Sequence, residues 1–308
     1  MTPAERSAKQ DVLRKVSSIG VWHRGDARAP HKPLLVLLAL GRLIRGLPRM
    51  APFAEVESPL SDLLRKYGPP RRAQHPEYPF WWLRSDGLWE VPDDHALARR
   101  KGSNDPLRSA LRATALGGFP REVHAAFEGD RKLIHRCVQS LLRDHFPQSI
   151  HLDILSDVGL SSAIPSLQLA RDARFREEVI SAYEHRCAVC GFDVRVGDGL
   201  DLAIEAAHIK WHQAGGPEVV QNGVALCSIH HKAFDLGALT VDRTMRILVS
   251  GSVYGQSGMT RWFLRYHRRR VRVPHSDHLQ PDPAFLNWHQ RQVFREPARG
   301  DVSDQSSA

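Results

Sequence analysis

The chain has 308 residues, enough for two domains at about 150 residues each. Apolar residues at 42% and charged residues at 25% are ordinary for a soluble globular protein, and no run approaches the ~20 apolar residues of a membrane span. Met1 to Lys15 is charged throughout and lacks the apolar core of a secretory signal, so a cytoplasmic protein is expected. Lys and Arg (43) against Asp and Glu (34) give a net charge of +9, which favours a polyanionic partner, nucleic acid first.

The first predicted element is a helix from Pro3 to Ile19. A second runs from Pro33 to Arg45, with Pro33 suited to the first helical position and Gly46 to the stop. Its run Leu34 to Leu40 is apolar on all sides and reads as a buried core helix. Val56 to Tyr67 is predicted helical and ended by Gly68-Pro69-Pro70, after which Phe80 to Leu83 and Leu88 to Val91 flank Ser85-Asp86-Gly87 as a hairpin signal. Helical patterns return over Pro106 to Ala115 and Gly129 to His145, with Cys137 a small buried residue in the latter. Periodicity weakens from Gln148 to Ala170, and an amphipathic helix, Arg174 to Tyr183, opens the second half. Phe285 to His289 reads as a packing helix near the end. The fold class predicted is α+β: a mostly helical domain with a small β-hairpin or sheet over 1–150, a linker over 151–172, a second domain over 173–296 and a disordered tail over 297–308.

Four cysteines do not make a disulfide framework in a chain of this length. Three of them fall in two knuckles, Cys187-Ala188-Val189-Cys190 and Cys227-Ser228-Ile229-His230, which supply three thiolates and one imidazole, a complete tetrahedral set for zinc. With no vacant position the site is structural, the ion substituting for a core too small to hold the region. A redox Cys-x-x-Cys is the competing reading, which the second knuckle disfavours.

Interleaved with the knuckles lie Ile204-Glu205-Ala206-Ala207-His208, Gln221-Asn222-Gly223 and His231-Lys232-Ala233-Phe234-Asp235. His, Asn and His in this order, in register with the cysteines, closely resemble the HNH nucleases over Cys187 to Asp235. The resemblance implies a zinc-stabilised ββα-metal unit in which a hairpin carries His208 and Asn222 and a helix carries His231. It also implies His208 as general base, Asn222 as the residue that holds the hairpin and orients His208 through its amide, and His231 as a ligand of a catalytic divalent ion. Asp235 lies one turn after His231 on the same helix face and can reach the same ion. Many HNH proteins have Asp or His immediately before the base where this chain has Ala207, so the ion would rest on His231, Asp235 and the scissile phosphate, with Glu205 a candidate extra ligand. In a strand Glu205 and Ala207 share one face and His208 the other. Mg²⁺ or Mn²⁺ suits an oxygen-rich site, and one imidazole leaves room for Ni²⁺ or Co²⁺. The arginines of Arg261 to Arg272 are candidate phosphate contacts.

In the first half, Arg28-Ala29-Pro30-His31-Lys32-Pro33, Tyr67-Gly68-Pro69-Pro70-Arg71 and His75-Pro76-Glu77-Tyr78-Pro79-Phe80-Trp81-Trp82 resemble the sulfur-binding domain of type IV, phosphorothioated-DNA-dependent restriction endonucleases. Those enzymes place this domain before a McrA-like HNH domain, so the resemblance implies a restriction endonuclease acting on double-stranded phosphorothioated DNA. It assigns the sulfur pocket to His31 and Lys32 as positive donors and to Tyr78 and Pro79 as apolar walls, with Arg28, Arg71, Arg72 and Trp82 as nearby DNA contacts. Cutting both strands with one site per chain points to a homodimer. Two other readings compete: an HNH nuclease specific for methylated or hydroxymethylated DNA, and a zinc-stabilised DNA-binding module without catalysis, the latter motivated by Ala207.

Overall fold

The computed structural model describes residues 3–24, 27–161, 173–197 and 199–300, which fall into two compact units, Met1–Leu169 and Ala170–Ala308. In the first unit α1 (Pro3–Ser17) leads to a small hairpin, β1 (Trp22–Arg24) with β2 (Ala27–Ala29), and to α2 (His31–Ile44). β3 (Met50–Pro52), α3 (Phe53–Tyr67), α4 (Glu77–Trp82), α5 (Arg108–Thr114), β4 (Leu116–Gly118), α6 (Arg121–Phe127), α7 (Arg131–His145) and α8 (His151–Asp157) complete it. β3 and β4 pair antiparallel, Met50 opposite Gly118.

The apolar run of α2 has the consequence it should: every residue from Pro33 to Gly41 is buried, and α3, α4 and α7 pack around the helix. Beside it a series of tilted and edge-to-face rings joins Phe53, Phe80, Trp89, Phe119 and Phe127, with centroids 4.9 to 6.1 Å apart. Cys137 is fully buried on α7, and burial pushes its thiol up to about 12, so it is an inert core residue.

Two expectations change in this unit. The hairpin expected over Phe80 to Val91 is instead α4 followed by a 3₁₀ turn, Leu83–Asp86. Gly87 takes the left-handed conformation (φ 67°) that closes this turn, so Asp86-Gly87 ends a helix where the sequence suggested a β-turn. The chain also continues past residue 150 as α8, whose Ile154 and Leu155 are buried and whose Asp157 accepts hydrogen bonds from Tyr67 and Lys66. Its end lies so close to α2 that a Cβ on Gly41 would stand 1.8 Å from the Val158 carbonyl oxygen. Residues 151–160 are therefore part of the first core and not of the expected linker, the rest of which, from 162 to 172, lies outside the described residues.

The second unit comprises α9 (Ala173–Ala182), the short hairpin β5 (Arg195–Val196) and β6 (Leu200–Asp201), β7 (Ile204–His208), β8 (Gly223–Cys227), α10 (Ser228–Asp235), β9 (Leu239–Val241), β10 (Ile247–Val249), α11 (Met259–Trp262) and α12 (Pro283–Gln292). β7 and β8 pair antiparallel from Ile204 opposite Cys227 to His208 opposite Gly223, and α10 follows at once: this is the expected ββα unit. Phe175 and Val179 of α9 pack on the hairpin where Gly223 has no side chain; a Cβ there would come within 2.3 Å of Val179. The expected packing helix is α12, which brings His289 flat against Phe234 at 3.5 Å between ring centroids. Pro297 to Gly300, expected in the disordered tail, are held in place. Pro297 accepts a hydrogen bond from the Gly251 amide and Arg299 donates to the Val249 carbonyl, so these residues complete the end of β10, while 301–308 lie outside the described residues. Among the described residues no helix is long and apolar enough to cross a membrane.

Candidate active site and DNA-reading pocket

The two Cys knuckles converge. Cys187 and Cys190 occupy the turn after α9, closed by Gly191 at φ 74°, while Cys227 ends β8 and His230 sits in the first turn of α10. One ligand atom from each lies within 4.8 Å of all the others, so the four could hold a metal ion. The ring of His230 is aimed by its far side: Nε2 donates to the Trp262 carbonyl at 2.7 Å, leaving Nδ1 to face Cys227 Sγ at 3.2 Å and Cys187 Sγ at 3.6 Å. Trp262, Phe263 and Tyr266 surround that ring. The aromatic half of the Arg261 to Arg272 run thus walls the cluster, and its six arginines are exposed.

His208 ends β7 and Asn222 immediately precedes β8. Asn222 is completely buried, its Oδ1 accepting from the Lys210 amide at 2.8 Å and its Nδ2 donating to the Lys210 and Pro217 carbonyls at 2.9 Å each. It does hold the hairpin, but its amide bonds the loop between the strands and not His208, a correction to the expected contact. Gly216 makes room for this lock, since a Cβ there would meet the Lys210 oxygen at 1.9 Å and Asn222 Nδ2 at 2.8 Å. The residue that does touch His208 is Glu218, whose Oε2 is 3.0 Å from His208 Nε2 and whose Oε1 is 2.9 Å from His212 Nδ1. The other restraint is Phe175, stacked on the His208 ring at 4.1 Å and 13°. Burial holds the His208 pKa below the ordinary imidazole range, with the Glu218 charge opposing.

On α10, His231 Nε2 and Asp235 Oδ2 lie 3.1 Å apart. Asp235 is itself held by Trp211, whose Nε1 donates to Oδ1 at 3.2 Å. Glu205 is placed differently from the extra ligand anticipated. Its Oε2 lies 2.6 Å from Nδ1, the opposite nitrogen of His231, and its Oε1 accepts from Ser228 Oγ at 3.0 Å, so it orients the imidazole from behind. Against burial, Asp235 and then Glu205 raise the His231 pKa to about 10. Ala207 is completely buried in the core, where a carboxylate in its place would be desolvated.

In the first unit, His31 begins α2 and its Nε2 is buried without a hydrogen-bond partner among the described residues. Burial first, then the charges of Arg71 and His75, push its pKa down to about 4, so it is neutral at pH 7. Lys32 is neutralised by Asp86 at 2.6 Å. Neither residue is the free positive donor expected, because the fold desolvates one and pairs the other. Tyr78 is half-buried on α4, with the His75 ring 5.4 Å away and Arg100 donating to its hydroxyl at 2.9 Å, whereas Pro79 is buried. The remaining candidates divide. Arg71 and Arg72 are exposed, Arg71 lying over the Trp22 ring at 5.8 Å. Trp82 is exposed and donates to Asp105, and Arg28 turns inward onto the Asp144 and His145 carbonyls that end α7.

The ScoMcrA-like, DNA sulfur-binding domain family matches residues 9–163, half of the 308-residue chain. The chain belongs to that family. Residues 187–242 match the HNH endonuclease family, so the second unit carries an HNH endonuclease domain. Similar solved structures include the sulfur binding domain of ScoMcrA complexed with phosphorothioated DNA, 23% identical, covering 49% of this chain and 97% of that one at a TM-score of 0.44. The type IV phosphorothioation-dependent restriction endonuclease ScoMcrA is 23% identical, with 50% of this chain and 33% of that one covered at a TM-score of 0.42. The modification-dependent TagI restriction endonuclease is 24% identical, with 43% of this chain and 42% of that one covered at a TM-score of 0.33. No curated protein matches the chain.

Sequence reasoning missed Phe175 and Glu218 in the HNH domain, and His75 and Arg100 around Tyr78 in the sulfur-binding domain. His75 was visible beside Tyr78 in the motif itself. Glu218 had no such signal: it reaches His208 only after Asn222 folds the intervening loop.

Proposed function

We propose that the chain is a modification-dependent restriction endonuclease that recognises phosphorothioated double-stranded DNA with its sulfur-binding domain and hydrolyses nearby phosphodiester bonds with its HNH domain. The observation that carries this reading is the union in one chain of the sulfur-binding family match and an HNH match whose His208, Asn222 and His231 sit on a ββα unit. Phosphorothioate is an anion bearing a large, poorly hydrated sulfur, so its pocket needs apolar surface with limited charge. Tyr78, Pro79 and the neutral His31, whose Nε2 has no hydrogen-bond partner among the described residues, suit the sulfur, Arg71 suits the phosphate charge, and Lys32 braces the start of α2 through Asp86.

Cys187, Cys190, Cys227 and His230 fit a structural zinc ion, by number, softness and closure of the donor set. His231 and Asp235 would hold a catalytic divalent ion, Mg²⁺ or Mn²⁺ with Ni²⁺ or Co²⁺ as further candidates, which when bound neutralises charge on the scissile phosphate and the leaving oxygen. His208 takes a proton from water as the water oxygen bonds to phosphorus; the bond from phosphorus to the 3′ oxygen breaks and that oxygen is protonated from solvent. The exposed arginines between Arg261 and Arg272 suit phosphate contacts along the duplex. A homodimer cutting one strand per copy, working on cytoplasmic DNA, completes the reading.

Matched duplexes with no mark, an Rp phosphorothioate or a methylated cytosine test it in the presence of Mg²⁺ or Mn²⁺. Binding and cleavage are expected only with the phosphorothioate, and His208→Ala is expected to bind without cutting. Equal cutting of all duplexes would refute sulfur recognition, and undiminished cutting by His208→Ala would refute the HNH assignment.

A further inference from the structure

His208 is fixed at one edge and one face but not at its other nitrogen. Its Nε2 meets Glu218, its ring lies on Phe175, and its Nδ1 has no hydrogen bond among the described residues. A carboxylate accepts only, so the proton of the neutral imidazole must sit on Nε2. Glu218 is in turn fixed: it follows Pro217, whose carbonyl is tied to Asn222, and its second oxygen is engaged by His212.

We infer that Glu218 is the positioning carboxylate of the nuclease base, holding His208 in the tautomer that presents Nδ1 to the reacting water. The inference rests on the proposed role of His208 and gives Asn222 a route to it, through Pro217 and Glu218. When Nδ1 takes the proton from water, the oxygen of that water bonds to phosphorus and the bond to the 3′ oxygen breaks. The imidazolium charge so created is met by the Glu218 carboxylate, and Nδ1 later returns its proton to solvent. The titratable groups that act on His208 are Glu218 and His212 from the loop and Asp235 from α10, while α9 lays the uncharged Phe175 ring against it.

The test compares Glu218→Gln with wild type in the full-length protein. Cleavage of marked duplex should fall on the order of 10- to 100-fold in kcat with KM unchanged, and the acid limb of the kcat profile should move to lower pH, because the neutral amide no longer favours imidazolium. Independently of cleavage, the NMR titration midpoint of His208 in the full chain should move the same way. His212→Gln serves as the control for the outer contact: with a group that opposes imidazolium removed and Glu218 kept, the limb should not move to lower pH. An unchanged limb and midpoint in Glu218→Gln would overturn the inference, as would a drop in activity matched by an equal drop in folded fraction. If Glu218→Gln does not fold, Glu218→Asp, with the charge kept and the reach shortened, should lower kcat while keeping the limb closer to wild type; full activity there would also overturn it. Undiminished cleavage by His208→Ala would instead remove the base assignment beneath the inference, and the NMR midpoint alone would then decide whether Glu218 controls the imidazole.

Discussion

His289 is completely buried, flat against Phe234, with Nε2 donating to the Phe234 carbonyl at 3.1 Å and Nδ1 accepting from the Thr240 hydroxyl at 2.8 Å. Burial drives its pKa down to about 3, with Asp235 opposing. The unfolded chain protonates this imidazole near 6.5 and the folded chain does not, so its stabilising effect is complete above that pH and is lost as pH falls from there toward 3. Between pH 8 and pH 5 the loss is about 2 kcal/mol. Urea unfolding of wild type and His289→Gln at both pH values should show their free-energy gap narrowing by that amount at pH 5; a pH-independent gap would contradict the assignment. His231, on the neighbouring α10, is pushed the other way by Asp235 and Glu205. The sequence marked His208 and His231 by order and spacing, but not which histidines are neutral, because charge state depends on carboxylates delivered by other elements.

At the scale of elements, the β7–β8 hairpin and α10 were legible because the His-Asn-His order and the Cys knuckles constrain one another. Asn222 is the member whose partners spacing could not reveal. It bonds main-chain groups of Lys210 and Pro217, so Asn222→Ala leaves several buried groups unpaired and should cost about 2–4 kcal/mol by thermal or urea denaturation. Cleavage should fall with it, through the displaced Glu218 loop, while binding of marked DNA by the other unit persists. The short β3–β4 pair was missed for a different reason: three-residue strands far apart in the chain carry no periodic signal. Asp86-Gly87 misled because left-handed glycine closes hairpins and helix ends alike.

At the scale of the molecule, two domains were readable from length and from two unrelated sets of motifs, yet the first boundary fell about ten residues short. The weak periodicity after Gln148 reflects a helix of only two turns, whose Ile154, Leu155 and Leu160 nevertheless fill the first core. A fragment ending at residue 161 should therefore fold and bind phosphorothioated duplex, whereas one ending at 150 should lose cooperative unfolding and binding together. Circular dichroism melts and gel shifts of the two fragments would show it, and equal behaviour would return α8 to the linker.

The seat of Val158 against Gly41 also sets an order of events during synthesis. The buried helix α2 is made early, but the backbone that closes over it arrives only when the chain has grown past residue 158. The described residues of the first unit, through residue 161, are all made before His208, Asn222 or His231 has been translated, and domains emerging from the ribosome fold from the N-terminus onward. The sulfur-binding domain can thus be complete before the HNH domain exists.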